Sequence, residues 1–409
     1  MKMNAECRMK NEEKARLDCQ RGPTMRTVYL DNNATTQPAP EVIEAILPFF
    51  TELWGNPSSM HVFGGQVRRH VELARAQVAE LIGADPSEIL FTSCGTESDN
   101  MAIRGAVEAA SPPVNVITTR VEHPAVLEPC RMLKERGVPV VELEVDGKGQ
   151  IHLDDLRLAL SRGRAIVSLM WANNETGVIF PIAEAAELIK ASGSIMHTDA
   201  VQAAGKLPID VRRVPVDMLS LSGHKLHAPK GIGALFIRRG TRIHPLLLGG
   251  HQEGGKRGGT ENVPYIVGLG RACELAARAL GNEMTRVAAL RDRLQAGIQA
   301  ACPDVRVNGD EAHRLPNTLN ISFQYIEGES ILYHLSDCGI AASSGSACTS
   351  GSLEPSHVIR AMGVPFMAAH GSIRFSLSRY NTAADIEYVL ESLPPIIKKL
   401  RAISPFAAP

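Results

Sequence analysis

One lysine, Lys225, follows a short apolar run, Met218–Leu221, and is delivered by the small polar turn Ser222-Gly223-His224. A run of this length bounded by turn residues reads as a buried strand, and open α/β sheets place their chemistry at the carboxyl ends of such strands. An amine shielded there from bulk water serves as a nucleophile toward carbonyl compounds. Other runs end in other polar groups. Ile89–Thr92 leads into Ser93-Cys94-Gly95-Thr96, where free N–H groups at a helix start suit a phosphate, although an ordinary N-cap has the same composition. Val114–Thr118 leads to His123, which either stacks on a flat ring or caps a turn. Ala165–Met170 leads to Asn173-Asn174-Glu175, and Ser194–Thr198 leads to Asp199 and Gln202. An aspartate in that place holds a ring nitrogen protonated or caps a helix, and a glutamine nearby reaches a ring hydroxyl.

Two further residues stand apart. Arg374 stands with Ser372 and Ser376 on what reads as the polar surface of an alternating strand, 372–377, and its planar fork suits a substrate carboxylate. Cys348 lies in 341–352, where the eleven other residues are all Ala, Ser, Gly or Thr. Such a segment packs no core and should be mobile, so its thiol can visit a reaction centre and carry a product away. Gly250–Lys256 satisfies most of a nucleotide-binding phosphate loop, but Arg257 stands where Ser or Thr would bind magnesium. We read 248–260 as a flexible, glycine-rich loop near a subunit boundary.

The elements that must position these groups alternate. Short apolar runs separated by helical patterns imply βαβ units, hence an α/β fold with a mostly parallel, doubly wound sheet. After two amphipathic helices, about Val263–Leu280 and Met284–Ala301, short strands and helices point to a smaller α+β domain. The expected division is a disordered leader 1–24, an N-terminal segment 25–36 belonging to the small domain, a large domain 37–282 and a small domain 283–409 carrying the cysteine loop. With 409 residues, 43 basic against 44 acidic side chains and a net charge of −1, nothing favours nucleic acid or an anionic membrane. No apolar run is long enough to span a bilayer, and residues 1–24 lack the apolar core of a secretory signal, so a cytoplasmic location is expected. The eight cysteines show no zinc spacing and read as reduced thiols.

From Val28 to about Pro405 the chain resembles the class V, fold type I pyridoxal-phosphate (PLP) enzymes, and among them the cysteine desulfurases of the NifS/IscS group. The motifs that carry this are Tyr29-Leu-Asp-Asn-Asn-Ala-Thr-Thr36, Thr92-Ser-Cys-Gly-Thr-Glu-Ser98, Ser222-Gly-His-Lys225 and Ser343-Ser-Gly-Ser-Ala-Cys-Thr-Ser-Gly351. Ser93-Cys94-Gly95 and Trp171-Ala172-Asn173-Asn174 are similar to the nitrogen-fixation branch, with the housekeeping branch less close. The resemblance implies Lys225 as the Schiff-base lysine, His123 stacked on the ring, Asp199 on the ring nitrogen, and Asn174 and Gln202 near the ring oxygen. It implies Gly95, Thr96, Ser222 and His224 around the phosphate, joined by Thr260 from the other subunit of a homodimer. Arg374, with Asn174, would bind the carboxylate of L-cysteine, and Cys348 would accept the sulfur. The implied partner is an iron–sulfur scaffold protein of NifU type, and the implied protein has no metal of its own beyond what Cys348 contacts through its persulfide. Gly254 departs from the arginine common in relatives. A PLP-dependent class V aminotransferase would share the lysine, aspartate and arginine without needing Cys348.

Overall fold

The computed structural model describes residues 26–344 and 355–405. The leader 1–24 and Cys348 lie outside the described residues. The strands are β1 (Val28–Tyr29), β2 (Ile89–Thr92), β3 (Asn115–Thr119), β4 (Val140–Leu143), β5 (Ala165–Ser168), β6 (Ile195–Asp199), β7 (Met218–Ser222), β8 (Gly233–Ile237), β9 (Val305–Asn308), β10 (Thr318–Phe323), β11 (Ile340–Ala341) and β12 (Ser372–Ser376). Seven form one sheet in the order β2-β8-β7-β6-β5-β3-β4. Only β8 runs antiparallel to its neighbours, so the expected mostly parallel α/β sheet is present.

Strand alternation explains the two wound faces. Ala165, Val167, Leu219, Leu221, Ala234 and Phe236 enter one apolar layer, while Ile166, Met218 and Leu235, their intervening neighbours, enter the opposite one. The Val62–Ile82 and Val263–Asn282 helices cover the first face, and Gly270 lets them meet closely: a Cβ there would lie 2.5 Å from the Ala74 Cα. Because β2, β3, β5, β6 and β7 run the same way, their carboxyl ends open on one edge, where the polar groups gather.

A separate apolar core, with Leu294, Ile298, Phe323, Phe375, Ile386 and Leu393, surrounds the antiparallel sheet β12-β10-β9. The first described strand joins this body rather than the large sheet: Val28 pairs with Ile340 in parallel and Leu30 is fully buried there. The capping box Thr382/Asp385 starts its last helix, Ala383–Ile403.

Two expectations need correction. The polar side of β12 is not a surface, since Ser372, Arg374 and Ser376 are all buried. The N-terminal segment crosses that side, with Asn32 Nδ2 donating to the Ser376 carbonyl at 2.9 Å. Nor does the glycine-rich loop lie loose. Arg75 donates to both oxygens of Glu253 at 2.8 and 2.9 Å, the Phe91 N–H donates to Glu253 at 3.0 Å, and Arg257 Nε donates to Glu97 at 3.0 Å. Paired charges therefore anchor it to the Val62–Ile82 and Gly95–Ala109 helices, and a backbone N–H anchors it to β2. No helix among the described residues is long and apolar enough to cross a membrane.

Candidate active site

A cavity of about 420 Å³ opens at the carboxyl ends of the parallel strands, lined among others by Gly95, Thr96, His123, Asn174, Asp199, Gln202, Ser222, His224, Lys225 and Arg374. Residues separated by up to 279 positions thus converge as the sequence led us to expect. A larger recess of about 670 Å³ lies beside Arg68, Arg75 and Glu253 and holds none of these groups.

Lys225 sits in the single turn that closes β7. Its Nζ donates to the Asn33 carbonyl at 2.5 Å and the Ala34 carbonyl at 2.7 Å. Asn33 is a participant that side-chain reasoning missed, because its backbone oxygen does the work. The same oxygen accepts from Gln202 Nε2 at 3.0 Å. The Asn33 side chain donates to the Asn174 carbonyl at 3.1 Å and to Thr318 at 2.9 Å, tying both bodies to the site.

His123 is the N-cap of the Pro124–Glu135 helix, and its Nδ1 accepts from the Ala125 N–H at 3.1 Å. An Nδ1 that accepts carries no proton, so the neutral ring bears its hydrogen on Nε2. Burial, then the Lys225 and His357 charges, lower its pKa to about 4. His224 is likewise lowered to about 4, by burial first and Lys225 next, and its Nδ1 lies 3.2 Å from Thr35 Oγ1. Asp199 caps a turn, not a helix: its Oδ1 accepts from the Val201 N–H at 2.9 Å, and its carboxyl lines the cavity. Burial raises its pKa to about 6, against the pull of the Val201 bond and of Lys225.

Arg374 Nη1 donates to the Asn174 carbonyl at 3.0 Å and Nη2 to Asp31 at 2.8 Å. The β12 backbone beside it bonds to Ser343, at the start of the segment that carries Cys348. On the far side of that segment, His357 Nε2 lies 2.9 Å from the Glu122 carbonyl, next to His123. Both flanks of 345–354 are therefore fixed at the cavity rim. Thr260 lies elsewhere in this chain, in a recess with Ser93, Gly231 and Arg257.

Asp99, Glu122, Cys94 and Asp31 were not singled out from the sequence. Glu122 is wholly buried, accepts from Thr119 Oγ1 at 2.9 Å and from the Met170 N–H at 3.0 Å, and is raised by burial to about 8. For Asp31 and Cys94 the only sequence signal was their place inside the motifs; Glu122 and Asp99 only adjoin His123 and Ser98.

The residues fit pyridoxal phosphate. A Cβ on Gly95 would stand 3.0 Å from Val201 Cγ2 and 3.3 Å from Ser222 Cβ, so glycine keeps the cradle at the helix start open. Gln202 Oε1 is buried without a partner among the described residues, as an acceptor awaiting a polar ligand would be. Gly95, Thr96, Ser222 and His224 would hold the phosphate, Asp199 the ring nitrogen, His123 the ring face and Lys225 the aldehyde carbon.

Comparison with known proteins agrees. A family model described as aminotransferase class-V matches residues 28–389. A cysteine desulfurase of Trichormus azollae is 58% identical over 382 residues, covering 93% of this chain and 96% of its own. The cysteine desulfurase NifS of Azotobacter vinelandii is 58% identical over 383 residues, with 93% and 95% covered. Among solved structures, a NifS-like protein superposes with a TM-score of 0.86 at 38% identity, covering 92% of this chain and all of its own. A protein described as SspA in complex with cysteine gives a TM-score of 0.78 at 34% identity, with 87% and 100% covered.

Proposed function

The chain belongs to the class-V aminotransferase family and is a pyridoxal-phosphate-dependent cysteine desulfurase, and from that premise we propose that Cys348 takes the sulfur of L-cysteine as a persulfide for iron–sulfur cluster assembly. The observation that carries this reading is the convergence of Lys225 and Arg374 on one cavity whose rim fixes both flanks of the Cys348 segment.

The bound cofactor supplies an electron sink that lets bonds at the substrate's α- and β-carbons break. Arg374 binds the substrate carboxylate with its fork, oriented by Asp31 and the Asn174 carbonyl. His123, neutral with its proton on Nε2, packs against the ring without adding a charge. Lys225 Nζ, between the Asn33 and Ala34 carbonyls, moves the proton at the substrate's α-carbon. The Cys348 thiolate attacks the substrate sulfur: an S–S bond forms, the C–S bond breaks, and alanine and a Cys348 persulfide result.

The nitrogen-fixation role, in nitrogenase maturation, rests on the likeness to the Azotobacter NifS and on the Ser93-Cys94-Gly95 detail. A NifU-like scaffold is the corresponding acceptor, and the cytoplasm the corresponding location. A homodimer in which Thr260 completes the partner's phosphate site accords with its lining a recess other than this chain's own cavity and with the exposed Leu47, Phe50, Trp54 and Met60. The division at 282/283 into a large and a small domain belongs to the same reading.

Measuring sulfide and alanine from L-cysteine with a reductant tests it. Equal yields from the wild type and neither product from Cys348→Ala are expected. A mutant that kept pace would overturn the persulfide route.

A further inference from the structure

Asp99 lies one turn beyond Gly95, so the helix that offers its first N–H groups to the cavity also sends this carboxyl to the cavity wall. The side chain is 1% exposed. Its Oδ1 has no hydrogen-bond partner among the described residues and stands 3.5 Å from His197 Nε2. That imidazole is engaged on both sides, by Ser168 Oγ and Ser220 Oγ at 2.9 Å each, and burial keeps it neutral, with its pKa lowered to about 3. Among the described residues Asp99 therefore has no cation to pair with.

Other acids crowd the same space. Asp199 on β6, Glu122 before the Pro124–Glu135 helix and the Cys94 thiol all act on Asp99, and only the Ser220 hydroxyl favours its charged form. Burial first, then Asp199, pushes Asp99 well above the usual carboxylate range. Asp199 rises to about 6 and Glu122 to about 8; both accept hydrogen bonds, but only Asp199 has a cation, Lys225, supporting its charge. Buried carboxylates this close to one another cannot all ionise, so the proton is lost first from the one that has support.

We propose that Asp99 is a positioning residue acting through Asp199: wedged between the phosphate-binding helix and His197, which lies two residues before Asp199 on the same side of β6, it fixes the carboxylate that faces the cofactor's ring nitrogen. This rests on the reading that Asp199 faces that nitrogen.

The test is a pH titration of the visible absorption of the holoenzyme, with kcat and KM for L-cysteine alongside. Asp99→Asn keeps shape and neutrality, so its titration midpoint should stay within about 0.3 pH unit of wild type, whereas removal of a real charge would move it by about 1 unit or more. Asp99→Ala removes the wedge; the midpoint should shift and kcat fall about tenfold, with KM changed less than about twofold, and Asp99→Asn should recover most of that loss. A shifted midpoint in Asp99→Asn, or a wild-type midpoint and kcat in Asp99→Ala, overturns the proposal. Asp199→Asn separates the two readings. If it moves the midpoint while Asp99→Ala does not, only the role of Asp99 fails; if it leaves the midpoint in place, the Asp199 assignment fails and takes this inference with it.

Discussion

Arg374 Nη2 lies 2.8 Å from Asp31 Oδ1, across the boundary between β12 and the N-terminal segment, with the arginine side chain 2% exposed. Asp31 thus aims the guanidinium before any substrate arrives. Losing the fork leaves a substrate carboxylate with no cationic partner there, and charge-assisted bonds contribute about 1.5–3 kcal/mol. Arg374→Ala should therefore raise KM for L-cysteine about tenfold or more while the cofactor's absorption stays in place. Arg374→Lys should recover little, because a point charge lacks the fork. Steady-state kinetics of both variants decide this; an unchanged KM would remove Arg374 from substrate binding.

Lys225 is held by two backbone carbonyls, Asn33 and Ala34, which no side-chain substitution removes. Its assignment is best tested chemically. Borohydride reduction of the holoenzyme should fix the cofactor on the peptide containing Lys225, and Lys225→Ala should show no labelled peptide and no turnover. A label on Lys206, a buried lysine whose Nζ donates to the Gln202 carbonyl, would contradict the assignment.

Much of this site was legible because each group ends or follows a buried run: Asp199 ends β6, Ser222 ends β7 with Lys225 just beyond it, and Gly95 follows β2. Strands β4 and β9 went unread because that contrast is weak there. β4 and β9 are sheet edges, half-buried and carrying Glu142, Arg306 and Asn308, so they lack a continuous apolar run. Asp99 was missed since the polar run Glu97-Ser98-Asp99-Asn100 holds no apolar residue to mark burial, yet the first three are buried. Asn33 works through its carbonyl, which residue type does not encode. The side of β12 bearing Arg374 looked solvated because nothing local shows that residues more than 300 positions earlier pack across it.

Acid and alkali should act on stability through different buried groups. His197 drops from 6.5 to about 3, so between those values the unfolded chain binds a proton that the folded one refuses, and stability falls as pH falls through that window. Glu122 rises from 4.5 to about 8, so the folded state keeps a proton that the unfolded one releases, and stability falls as pH rises from 4.5 toward 8. His197→Asn should flatten the acid limb of a Tm-against-pH curve, and Glu122→Gln, which preserves the bonds from Thr119 and Met170, the alkaline limb. Parallel curves for wild type and variants would show that these groups do not titrate as described.

The Arg257–Glu97 pair joins the glycine-rich loop to the first turn of the helix that would cradle the phosphate. Arg257 Nε donates to Glu97 Oε1 at 3.0 Å, and Glu97 Oε2 accepts from the Ser93 N–H at 2.7 Å, immediately beside Gly95 and Thr96. With Glu97 side-chain exposure at 8%, loss of its cation leaves a nearly buried carboxylate unpaired, and the Ser93–Thr96 turn loosens. Arg257→Met should weaken cofactor retention about tenfold, measured as the rate of colour loss on dialysis. Arg75→Met breaks the loop's other tie, to Glu253, without touching the cradle, and should lower Tm while altering retention less. Equal retention in wild type and Arg257→Met would mean that the pair fastens the loop alone and the cradle is held by the helix itself.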